Sequence, residues 1–123
     1  MASALATTGL WLFRLSSSFA DPRVADKLSA PMAGLPDELQ ARFRAQLVTL
    51  PGDIDVLHLR DLAWPMAVLQ HRHRALGHHL SAAMAEALAA AHHLGAGIAV
   101  STVDVGPGLR AAADHDGLAF HAL

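Results

Sequence analysis

The 123 residues contain no cysteine. That excludes disulfide frameworks and thiolate zinc sites, and it fits an intracellular, cytoplasmic setting. Nor is there an excess of positive charge: the formal net charge is −2 with nine histidines counted as neutral. Such a chain has no global attraction for nucleic acid, so RNA binding would need a local basic patch. No run approaches the ~18 apolar residues of a membrane span, and no membrane association is expected. The opening MASALATTGLWLF is mildly apolar but lacks a positively charged start and is soon interrupted by Arg14. It reads as a strand and not as a signal peptide. Also missing are a glycine-rich phosphate loop, a nucleophile elbow, a metalloprotease helix, an internal repeat, a linker and, alanine bias apart, any low-complexity tract.

What is present is a slightly oily globular composition, 53% hydrophobic with a mean hydropathy of +0.32. An exposed apolar patch, and hence a partner, is consistent with it. The length predicts one domain over 1–123, burying about two-thirds of its unfolded surface.

Hydrophobic periodicity and stop signals outline the elements. ALATTGLWLF (4–13) suits a buried first strand. Asp21 and Pro22 open a short helix over 21–30. A second helix covers 36–48, with Pro36, Asp37 and Glu38 in its first turn and an apolar stripe of Leu39, Phe43 and Leu47. After the turn at 50–53, IDVLHL alternates like a strand. Asp61 is placed to cap a helix in which Pro65 falls in the first turn. Leu62, Met66, Leu69 and Leu76 make the buried stripe of that helix, His73 intrudes on it, and Gly77 stops it. Ser81 caps the alanine-rich LSAAMAEALAAAHHLGA (80–96), and Gly95 ends it. GIAVST (97–102) reads as a strand buried on both faces, GPGLRAAADHDG as a short helix and LAFHAL as a last strand. Strand, helix and strand with short connections require a parallel crossover. The fold class is α/β, a three-layer α/β/α sandwich around a small parallel sheet. Trp11, Trp64 and Phe43 are expected in the core.

Few side chains advertise chemistry. QHRHRALGHH (70–79) holds Arg72, Arg74, His78 and His79, a candidate RNA-binding patch that grows more basic below the ordinary histidine pKa of ~6.5. The same run also reads as a solvated helix end whose cations suit the helix dipole. The histidine pairs at 78–79 and 92–93 raise a zinc or copper site. Adjacent residues on a helix point ~100° apart, so neither pair chelates alone. A site would have to be assembled across elements, and none is expected. Asp104 reads equally as a metal ligand or general base and as a helix cap. Glu38 reads as a first-turn acid answering the helix dipole.

LPGDIDVLHLRDLAW, LSAAMAEALAAAHHLGA, VSTVD and GLRAAADHDGLAFHAL, in that order and spacing, resemble the PIN-domain family, the small nucleases typified by VapC toxins of bacterial toxin–antitoxin pairs. LATTGLWL is similar to the family's opening strand. The resemblance implies a PIN-like sandwich in which carboxylates at the strand ends hold Mg²⁺ or Mn²⁺, activating water for RNA cleavage. It further implies RNA or an antitoxin-like protein as partner, and a homodimer. Matched position by position, the first-strand aspartate falls at Thr7, with Thr8 at the following hydroxyl position, and the helix-start aspartate falls on Met84. Asp104 is retained as the metal ligand, with Glu38 the candidate for a second catalytic acid. Glu86 lies ~200° around the helix from position 84 and does not substitute for it. The expectation is a degenerate site: no cofactor, or Mg²⁺/Mn²⁺ if activity persists.

Overall fold

The structure, a computed structural model, describes residues 5–21, 34–50, 52–102 and 105–123. The short helix expected over 21–30 lies, beyond Asp21, outside the described residues, as does Asp104. In chain order the elements are β1 (Ala6–Thr8), α1 (Gly9–Ala20), α2 (Asp37–Thr49), β2 (Asp55–Leu57), α3 (Leu59–Ala75), α4 (Ala82–Leu94), β3 (Ile98–Val100), α5 (Pro107–His115) and β4 (Phe120–Ala122). The class is mixed α/β, as expected. The chain divides into two compact units, Met1–Val56 and Leu57–Leu123.

In the first unit, β1 pairs with β2, and the Asp55 amide donates to the Leu5 carbonyl at 3.4 Å. The strand expected over 4–13 is only three residues long, because the chain turns helical at Gly9. A continuous apolar run satisfies strand and helix periods alike. In the helix, Ser16 Oγ donates to the Leu12 carbonyl and Ser18 Oγ to the Arg14 carbonyl. Arg14 lies over the Trp11 ring, 5.1 Å from its centroid, a contact that the i, i+3 spacing of a helix supplies. The α2 helix runs as expected, with Asp37 and Glu38 in its first turn. Pro36 lies just before it, and its carbonyl accepts from the Leu39 and Gln40 amides. Leu39, expected in a buried stripe, is exposed.

The second unit is organised by its helix ends. The α3 helix starts at Leu59, earlier than expected, so Asp61 sits inside the first turn and does not cap. Pro65 consequently lies within the helix, where it removes one backbone bond without ending it. Leu62, Leu69 and His73 are buried. Trp64 and Leu76 were both expected inside, but they are 79% and 47% exposed.

Each of α3, α4 and α5 ends at a glycine with positive φ: Gly77, Gly95 and Gly117. The same pair of hydrogen bonds closes all three. The amides of His78, Ala96 and Leu118 reach back to the carbonyls of His73, Ala91 and Ala113, and those of Gly77, Gly95 and Gly117 to Arg74, His92 and Asp114. These are Schellman ends, which satisfy carbonyls that would otherwise be orphaned.

Ser81 caps α4, its Oγ accepting from the Met84 amide at 3.2 Å. The alanines of α4 allow close approach on several sides, so Ala85, Glu86, Leu88, Ala89, Ala90 and Ala91 are all buried. Leu62, Leu69, Leu80, Leu88, Ile98, Leu109, Ala112 and Ala113 complete the core around that helix. Each fully buried leucine contributes about 1.5–3 kcal/mol. β3 and β4 pair in parallel with α5 between them, the crossover the sequence required, in the register Ile98↔Phe120, Ala99↔His121 and Val100↔Ala122. Only Ile98 of β3 is buried; Ala99 is exposed, so this strand is not covered on both faces as expected.

Candidate functional site

The residues that the nuclease resemblance singles out lie in different parts of the chain. Thr7 is half-buried in β1 of the first unit, followed by the buried Thr8. Glu38 is exposed in the first turn of α2, where a carboxylate answers the positive end of the helix dipole. Met84, in the second unit, occupies the third position after the Ser81 cap. Its side chain packs against the core, and its methyl group lies over Gly106, where an added methyl would overlap it. Glu86 is fully buried in α4.

Mg²⁺ and Mn²⁺ need several anionic or carbonyl oxygens at close range. At two of the positions where the resemblance expects a carboxylate stand a neutral hydroxyl, Thr7, and a soft thioether, Met84. These residues do not fit a hard divalent cation.

The basic run at the end of α3 divides in two. Arg74 and His79 are exposed. Arg72 turns to Asp116, at 3.6 Å, and the half-buried His78 ring stacks on His73 with centroids 5.2 Å apart. Two of the four residues of the proposed patch, Arg72 and His78, are therefore engaged in contacts within the protein.

Those contacts lead to a cluster that the sequence did not announce. The last turns of α3, α4 and α5 carry His73, His92 and His115, and Asp116 follows α5 directly. His73 is wholly buried, and the Asp116 carboxylate is 5% exposed. Asp116 Oδ2 lies 3.1 Å from His73 Nε2 and 2.7 Å from His92 Nε2, while Oδ1 lies 3.1 Å from His115 Nδ1. A carboxylate only accepts, so the proton sits on Nε2 of His73, on Nε2 of His92 and on Nδ1 of His115. His73 Nδ1 and His78 Nδ1 lie 3.0 Å apart, one donating to the other. Burial alone would push the Asp116 carboxyl up. The hydrogen bonds from His92, His115 and His73, with the electrostatic pull of His73, instead hold it well below the usual carboxylate range.

The local signs of this arrangement were His73, a polar residue on an otherwise apolar helix stripe, and the histidine pairs at 78–79 and 92–93, of which His78 and His92 join the cluster although no site was expected from them. His115 and Asp116 lie inside the string ADHDG, whose residues look like an ordinary helix end.

Comparison of the chain with protein-family models, with curated proteins and with solved structures finds no match in any of the three. Among the described residues, no helix is long and apolar enough to cross a membrane.

Proposed function

We propose that this chain is a VapC-like, PIN-related protein with a three-layer α/β/α architecture, in which metal-dependent RNA cleavage is reduced or lost and binding remains. The observation that carries the reading is Met84. Ser81 caps α4 as a helix-start carboxylate site would require, yet the residue at the third position is a thioether packed onto Gly106. The parallel β3–α5–β4 crossover supports the architecture.

A binding role draws support from exposed apolar side chains. Trp64 and Val68 stand one turn apart on α3, both in solvent. An antitoxin-like peptide or a second copy of the chain would cover them, and Arg74 and His79 remain exposed for RNA. The cytoplasm is the compartment this reading assigns.

The test is an RNA-cleavage assay across a Mg²⁺ and Mn²⁺ titration, with wild type beside Asp104→Asn, together with the mass of the protein in solution. Cleavage at background level in both proteins, with a dimer or a retained RNA complex, is the expected result. An active wild type and a dead variant would make the chain a working Mg²⁺/Mn²⁺-dependent endoribonuclease. No cleavage, no RNA retention and a monomer would leave a small regulatory or scaffold domain.

A further inference from the structure

The meeting point of the three helix ends in the second unit has the composition of a transition-metal site. One donor atom from each of His73, His115 and Asp116 lies within 4.8 Å of the others, and His92 Nε2 makes the shortest contact to the same carboxylate, 2.7 Å. We propose that His73, His92, His115 and Asp116 bind one Zn²⁺-class ion. His78 serves as the partner that holds the His73 ring in place.

Four observations point the same way. Three imidazoles and one carboxylate suit a borderline cation and not Mg²⁺ or Ca²⁺. The spacing is close to what an ion needs: metal–ligand bonds of ~2.0–2.2 Å put tetrahedral donors roughly 3.3–3.5 Å apart. The histidine nitrogens are 2.7–3.1 Å from the carboxylate oxygens they contact, His73 and His92 on Oδ2 and His115 on Oδ1, so an ion enters by a small rearrangement in which each ring moves its proton to its other nitrogen or releases it to solvent. The ends of α3, α4 and α5 turn their negative dipole ends toward the cluster, which favours a cation there. Finally, the site is buried on one side and open on the other. His73 and Asp116 are inside, whereas His92 and His115 are 37% and 50% exposed, which leaves a path for the ion.

His73 is oriented from behind by His78, whose ring stacks on it and whose Nδ1 lies 3.0 Å from its Nδ1. A ligating histidine commonly has its second nitrogen held in this way. Arg72, 3.6 Å from Asp116, has a half-exposed side chain that is free to swing into solvent when the ion's charge arrives. The nuclease-like reading turns on Thr7, Glu38, Met84 and Asp104, none of them a proposed ligand, so either can fail without the other.

The test uses tag-free, chelator-treated full-length protein titrated with Zn²⁺ by calorimetry and with Co²⁺ by visible absorption. One equivalent per chain is expected, with the intense d–d bands of a tetrahedral Co²⁺ complex and a rise in the thermal midpoint that chelator reverses. His92→Ala and His115→Ala change exposed side chains and keep the helical circular dichroism. Each is expected to weaken Zn²⁺ binding by roughly 100-fold or more. His78→Ala costs roughly 10- to 100-fold, the range for partners of ligands. His71→Ala and His121→Ala, outside the cluster, leave affinity unchanged. No saturable binding would reduce the cluster to a metal-free hydrogen-bond network. Equal binding by wild type, His92→Ala and His115→Ala would place any ion on other histidines. Either result overturns the proposal.

Discussion

The two units of this chain differ in where their described apolar side chains lie. Among the described residues, every buried apolar side chain belongs to Leu57–Leu123, and the one buried side chain before it is Thr8. In the first unit Leu5, Phe13, Leu15 and Leu39 are all exposed. Trp11, Leu12 and Ile54 border a cleft of about 200 Å³ there, which is not a closed core. The second unit has the alanine-rich α4 as a narrow central helix, and leucines from α3 and α5 close over it.

That contrast is easiest to break with large-to-small substitutions. Leu88→Ala or Leu109→Ala removes a side chain with no exposed surface, and each is expected to cost about 2–5 kcal/mol in urea denaturation. Leu15→Ala in the first unit is expected to change stability by no more than ~0.5 kcal/mol. Similar losses at both places would show that the first unit has a core of its own.

The tightness of the second unit is tested next. A Cβ on Gly108 would overlap the carbonyl oxygen of His79, which is backbone and cannot move aside. Gly108→Ala is therefore expected to cost about 1–3 kcal/mol. Gly106→Ala meets only the methyl end of Met84, a flexible side chain, and should cost clearly less. The reverse ranking would mean that Met84 is held more rigidly than the backbone beside it.

A smaller effect concerns acid. The carboxyl of Asp116 is held below its usual value of 3.8 in the folded chain. Unfolded, the group takes up its proton at a higher pH than when folded. Its contribution is thus complete above pH ~3.8 and lost as pH falls from there toward the folded value. Metal-free wild type should lose stability on that descent, and Asp116→Asn should show a flatter curve. Parallel curves would mean that the histidines contribute nothing through this carboxylate. The smallest effect is expected at Trp64, where replacement by serine in the isolated chain should stay within ~0.5 kcal/mol, because little of the ring is covered. A large loss there would reveal a partner, a second copy included, already in place in solution.

Much of the second unit was legible from sequence because its signals are local. The Ser81 cap, the stops at Gly77 and Gly95, and the β3–α5–β4 order each depend on a few neighbouring residues and on backbone rules that hold anywhere. The opening run was misread because GLWLF carries no polar residue to mark one period over the other. Trp64 was misplaced because an aromatic ring reads as core until the helix phase is known. The stripe of Leu62, Met66 and Leu69 already set that phase, with Trp64 ~200° around the helix from Leu62.

By itself, then, the chain determined its helices in the second unit, the places where they stop, and the absence of acid at positions 7 and 84, since each is written in a single stretch of residues. Only the tertiary structure decided that His73, His92, His115 and Asp116 meet. They stand 43 positions apart from first to last, as the His73–Asp116 pair shows, and no pattern along the chain encodes that approach. It arises because three helices, each halted by its own glycine, pack with those ends together.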